Sequence, residues 1–68
     1  MTTELAPVLT ALADPTRRRV VQLLRERPYR AGELAAASGT SAPTMSRHLR
    51  VLLEAGVVAD ERPPDDAR

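Results

Sequence analysis

A chain of 68 residues with no cysteine and a single aromatic side chain makes one domain at most. It excludes disulfides, thiolate metal sites and thiol redox sensing, and it lacks the aromatic platforms on which the bases of a single strand stack. Net charge is only +1, yet all ten cationic side chains are Arg and residues 17–50 hold eight of them against two Glu, a local excess of six, which fits either a polyanion binder or a solvated helix face.

In chain order, Thr3 is expected to cap a first helix that runs to about Ala13, with Pro7 near its start and Leu5, Val8, Leu9 and Leu12 on one side. Asp14-Pro15 is an N-cap followed by proline at the first helical position, so a second helix begins at once. Val20, Val21, Leu23 and Leu24 give that helix an apolar face. Pro28 ends it by disfavouring helical geometry at Arg27. A third, short helix is placed at 31–38, with Gly39 as its left-handed terminator. Arg30 is a poor cap, but Glu33 can reach back to the Arg30 amide, and Tyr29 and Leu34 have the spacing of a hydrophobic staple. The tyrosine is therefore read as structural rather than as a ligand contact. Ser41 caps a fourth helix with Thr44 as its amide partner, Gly56 closes it, and Val57-Val58-Ala59 read as a short strand. Beyond that strand the composition is that of a turn or a frayed end.

The fourth helix carries the functional signal. At about 100° per residue, Met45, Leu49, Leu52 and Gly56 form one stripe, with Ala42 and Leu53 beside it, and this stripe is expected to face the core. Pro43, Arg47, Arg50 and Glu54 lie roughly opposite, flanked by Thr44 and Ser46. Hydroxyls and guanidinium groups therefore occupy the N-terminal half, where the helix dipole also favours an anion. Two helices joined by Ser38-Gly39-Thr40, the second with such a surface at 42–55, describe a helix-turn-helix whose recognition helix enters a major groove. Arg47 is the candidate for bidentate contact with guanine, Thr44 and Ser46 for base edges or phosphate, and Ser41 and Arg50 for the backbone. Arg17, Arg18 and Arg62 are further phosphate candidates, a solvated face being the alternative for the first two.

His48 sits at the boundary between the core stripe and the exposed side, where it can bond a neighbouring helix or reach a phosphate. A metal role needs partners, and the chain has no second histidine and no cysteine. Nothing places a nucleophile beside a base, so neither a catalytic site nor a cofactor is expected and the protein is read as a non-enzyme.

The segments ALADPTRRRVVQLL and GELAAASGTSAPTMSRHLRVLLEAGVV resemble the ArsR family of winged helix-turn-helix repressors from about Leu12 to Val58. The likeness rests on the Asp-Pro-Thr-Arg helix start, the Glu-Leu-Ala of the first motif helix, and Ser-x-Pro-Thr-x-Ser-x-His-Leu followed by Leu-x-x-Leu-Leu-Glu-Ala-Gly. The resemblance implies a dimeric bacterial repressor that binds a palindromic operator and is released by an effector. It assigns Ser41, Ala42, Thr44, Ser46, Arg47 and His48 to the DNA-reading segment. Metal-sensing members carry a Cys-x-Cys pair where this chain has Arg30 and Gly32, so that thiolate site is not expected here. Family members also continue into a second wing strand and a C-terminal helix, and this chain is accordingly expected to be C-terminally short.

The expected fold is mainly α: a single winged helix-turn-helix domain over 1–68, with four helices, the motif at about 31–55, and a short, incomplete wing at 57–68. The expected function is sequence-specific binding of double-stranded DNA in transcription regulation, as a repressor. A shortened protein interaction or dimerisation module without DNA binding is the alternative. A chain this small buries only roughly 60% of its unfolded surface, so a homodimer through the first helix is expected. No apolar run approaches the roughly 18 residues needed to cross a bilayer and MTTELAPVL has no signal core, so a cytoplasmic protein without membrane contact is expected.

Overall fold

Capping chemistry divides the chain into four helices. The structure, a computed structural model, describes residues 5–59. These contain α1 (Leu5–Ala13), α2 (Pro15–Glu26), α3 (Ala31–Ser38) and α4 (Ala42–Glu54). Asp14 accepts from the Thr16 amide at 2.7 Å and the Arg17 amide at 3.3 Å, which fixes the start of α2 where the Asp-Pro pair predicts it. Arg27, extended at φ −170°, ends α2 ahead of Pro28. Glu33 accepts from the Arg30 amide at 2.8 Å and compensates for the absent hydroxyl at the start of α3.

The two helix stops belong to glycine. Gly39 takes φ 68° and Gly56 φ 75°, the left-handed region that costs a side-chain-bearing residue about 1–2 kcal/mol. Around Gly39, the Thr40 amide reaches Ala35 O at 3.0 Å and the Gly39 amide reaches Ala36 O at 3.3 Å. Around Gly56, the Val57 amide reaches Leu52 O and the Gly56 amide Leu53 O, both at 3.0 Å. Each pair is a Schellman closure that satisfies carbonyls left over at a helix end.

The core consists of Ala11, Val20, Leu23, Leu34, Ala35, Met45 and Leu52. It is wholly aliphatic apart from the Met45 thioether, and burying each of its larger side chains contributes about 1.5–3 kcal/mol. α2 and α4 each touch all three other helices, whereas α1 and α3 do not meet. Tyr29 packs half-buried against this core, and the Arg27 guanidinium lies 3.8 Å over its ring.

α1 buries Ala11 and leaves much of its leucine side open: Leu5 is 55% and Leu9 61% exposed, with Val8 and Leu12 half-buried. A small residue lets α1 approach the other helices closely, and the leucines flank that contact. The structure differs from the expected pattern at two places, in α4 and after Gly56. On α4, Met45 and Leu52 are fully buried and Leu49 packs half-buried beside them as expected, but Val51 and Ala55 complete the face, while Ala42 and Leu53 are exposed. Finally, Val57-Val58-Ala59 form no strand, and no strand occurs among the described residues. The Val57 and Val58 amides both turn back to Leu52 O, at 3.0 and 3.5 Å, and the two valines pack on the core, so the donors a sheet would use are already engaged. Thr3, Arg62 and the rest of the expected wing remnant lie outside the described residues.

Candidate nucleic-acid interface

The α3-turn-α4 unit is held by caps on both sides of a three-residue turn. Gly39 closes α3 and Ser41 opens α4: the Ser41 hydroxyl accepts from the Thr44 amide at 3.3 Å and donates to the Thr44 hydroxyl at 3.0 Å. The second of these bonds is not legible in the motif. It turns the Thr44 oxygen into an acceptor within the chain and leaves its own O–H available to donate outward.

Behind this N-terminal turn, Met45 and Leu52 anchor α4 at zero exposure. The other side holds Ser46, Arg47 and Arg50, all exposed, with no side-chain hydrogen bond or ion pair to the described residues. Ser41 and Ala42 are exposed and Thr44 is half-buried. The hydroxyls and guanidinium groups that the helical repeat places together are therefore brought together on one accessible surface. At its N-terminal end the dipole and the Ala42 amide, which no cap engages, add positive potential. Guanidinium forks suit phosphate or the guanine edge, and hydroxyls suit either.

Arg17, half-buried, and Arg18, exposed, have an intramolecular use that the sequence reading does not name. Arg17 donates through Nε to Ala11 O at 2.7 Å and through Nη2 to Thr10 O at 3.1 Å. Arg18 donates through Nη1 to Leu12 O at 2.8 Å and Ala13 O at 3.2 Å. Together they cover the last four carbonyls of α1, the set that a helix leaves without intrahelical partners. The cause is the abrupt passage from α1 into α2 at Asp14-Pro15, which leaves no room for a glycine closure. Two arginines in the first turn of a helix that follows another helix with no intervening loop is a signal that sequence reading could have used.

Arg17 also reaches α4, with Nη1 3.3 Å from His48 Nδ1. His48 thus makes the boundary contact to a neighbouring helix that its position allows. Asp14 lies beside this junction and titrates below the usual carboxylate range. Partial desolvation pushes its carboxyl up, but the Arg17 and Thr16 amides and the smaller contributions of the His48 and Arg17 side chains together outweigh it. Among the described residues no group of His, Asp and Glu could hold a metal ion, and no helix is long and apolar enough to cross a membrane.

Comparison with known proteins places this geometry in a family context. The profile for the bacterial regulatory protein arsR family matches residues 14–60. The transcriptional repressor SdpR of Bacillus subtilis is 40% identical over 55 residues, covering 81% of this chain and 61% of that protein. The HTH-type transcriptional regulator Rv2034 of Mycobacterium tuberculosis is 48% identical over 50 residues, covering 74% of this chain and 47% of its own length. A biofilm growth-associated repressor of Xylella fastidiosa is 39% identical over 59 residues, covering 87% and 52%. The chain thus spans roughly half to three-fifths of the length of these relatives. No solved structure matches it.

Proposed function

Because the chain belongs to the arsR family of bacterial regulatory proteins, we propose that it binds double-stranded DNA sequence-specifically through α4 and regulates transcription as a repressor, without chemistry of its own. The observation that carries this reading is the exposed, internally unengaged set Ser46, Arg47 and Arg50 on a helix whose opposite face is locked by Met45 and Leu52. Arg47 reads a guanine edge. Ser46 and the outward O–H of Thr44 contact base edges or phosphate. Ser41, Ala42, His48 and Arg50 line the sugar-phosphate backbone, and Arg62 adds a phosphate contact from outside the described residues.

A homodimer would present two such helices to a palindromic site. Leu5 and Leu9, the large apolar side chains that α1 leaves exposed, support a dimer through that helix, since pairing would remove them from water. The test is selection of bound duplexes from a random pool, followed by affinity measurements against salt. A palindromic consensus is expected, with log affinity falling about 0.9 units per log unit of salt for each phosphate neutralised. Arg47→Ala relaxes preference at one base pair by about 1–3 kcal/mol, whereas Arg50→Ala weakens all sequences alike. Absence of duplex binding at low salt would refute the proposal.

A further inference from the structure

We propose that Arg17 is a positioning residue of the DNA interface: it holds His48 as the tautomer protonated on Nε2, so that the neutral ring offers an N–H donor to a phosphate of the duplex backbone. The proposal rests on the reading of α4 as the DNA-facing helix and goes beyond it in assigning the ring's proton, its direction and the residue that sets both.

A guanidinium has donors only and does not lose its proton in proteins. Its Nη1 group, 3.3 Å from His48 Nδ1, can bond that nitrogen only if Nδ1 carries the lone pair. In a neutral imidazole one nitrogen accepts and the other donates, so the proton then sits on Nε2. Arg17 is itself held from behind, by Ala11 O at 2.7 Å on Nε and Thr10 O at 3.1 Å on Nη2. These two bonds tie the fork to the end of α1 and limit its swing away from the ring. The opposite edge of the ring is open. His48 Nε2 has no partner among the described residues, yet it is not one of the buried polar atoms left unpaired there, so it reaches solvent. His48 follows Arg47 directly and lies one turn beyond Thr44, on the half of α4 that the proposed interface uses.

A neutral donor differs from an arginine contact in a measurable way. It gives direction to the backbone contact without neutralising a phosphate, so its loss lowers affinity but leaves the salt slope unchanged. Glutamine places its amide N–H near the position of Nε2, whereas asparagine places its own near Nδ1.

The experiment has two arms on the full chain. Long-range 15N–1H spectra recorded above neutral pH should show an unprotonated Nδ1 and a protonated Nε2 in His48, and Arg17→Met should return the ring to a mixture of tautomers. With the duplex selected from the random pool, His48→Asn should bind about fivefold more weakly than His48→Gln, whose amide restores the Nε2 donor, both with the wild-type salt slope. The loss caused by Arg17→Met should not add to that of His48→Asn. A proton on Nδ1, a ring signature indifferent to Arg17→Met, equal losses from Gln and Asn, or additive losses in the double variant would each overturn the proposal. Should Arg17→Met not fold, the wild-type ring signature and the Gln/Asn comparison decide it. No duplex binding by the wild-type chain refutes the functional reading and the phosphate contact with it, while the ring signature still decides separately whether Arg17 sets the tautomer.

Discussion

Replacing Arg18 by methionine tests whether α1 is secured through its terminal carbonyls. The native side chain makes two bonds from a charged donor, at 2.8 Å to Leu12 O and 3.2 Å to Ala13 O. Bonds to charged groups contribute about 1.5–3 kcal/mol each in favourable settings. Arg18 is exposed, so water competes at both sites and the pair together is expected near the bottom of the range for one bond. A cation at the C-terminus of α1 adds about 0.3–1 kcal/mol, which its place in the first turn of α2 offsets by a similar amount. Arg18→Met should therefore destabilise the chain by about 1–2 kcal/mol, and Arg18→Lys, which keeps the charge but not the fork, by about half as much. Urea denaturation followed by circular dichroism reads this directly: with a slope of about 1 kcal/mol per M for so small a domain, the midpoint falls by about 1–2 M. Arg19→Met is the control, because Arg19 is exposed and makes no side-chain bond to the described residues. Equal midpoint shifts for Arg18→Met and Arg19→Met would refute the reasoning.

Other outcomes follow from the same structure. Asp14 has a lowered folded-state pKa, so its contribution to stability is fully present above the ordinary carboxylate pKa and is lost as pH falls through the lowered folded value. Asp14→Asn should flatten the acid limb of a stability-versus-pH curve measured by urea titration, and an unchanged limb would contradict the cap's ionised role. Thr40→Val removes a buried hydroxyl that has no partner. Since such groups cost about 1–3 kcal/mol when left unpaired, the variant should be neutral or more stable in the same denaturation assay. Leu52→Ala opens the centre of a core in which Leu52 has zero exposure, an expected loss of about 2–5 kcal/mol. Thermal melts should show a broad, low transition or none.

The local chemistry of this fold is written plainly in its sequence. Asp14-Pro15, the Ser41 cap, the Glu33 reach-back and the two glycine closures are decided by residues within six positions of one another, and each stands where propensity places it. The polar surface of α4 is legible for the same reason: helical periodicity alone puts Arg47 and Arg50 opposite Met45. What could not be read locally depends on how helices meet. Periodicity names a stripe on α1 but not the neighbour that covers it, so the burial of Ala11 is not visible in the spacing. The roles of Arg17 and Arg18 need the angle between α1 and α2, which no spacing encodes. A β-branched pair such as Val57-Val58 is equally at home in a strand or folded against a core, and only the Leu52 carbonyl drawing in both amides decides between them.

The way α1 is attached has a consequence for how the molecule breathes. Its one fully buried side chain is an alanine, and its distal end is fastened by four carbonyls gripped from α2. Little oily surface must be wetted to lift it, so the α1 amides should exchange with solvent deuterium through a partial opening well before those of α2 and α4. The helix carrying the leucines proposed to meet a second copy is thus the piece most readily lent to another body.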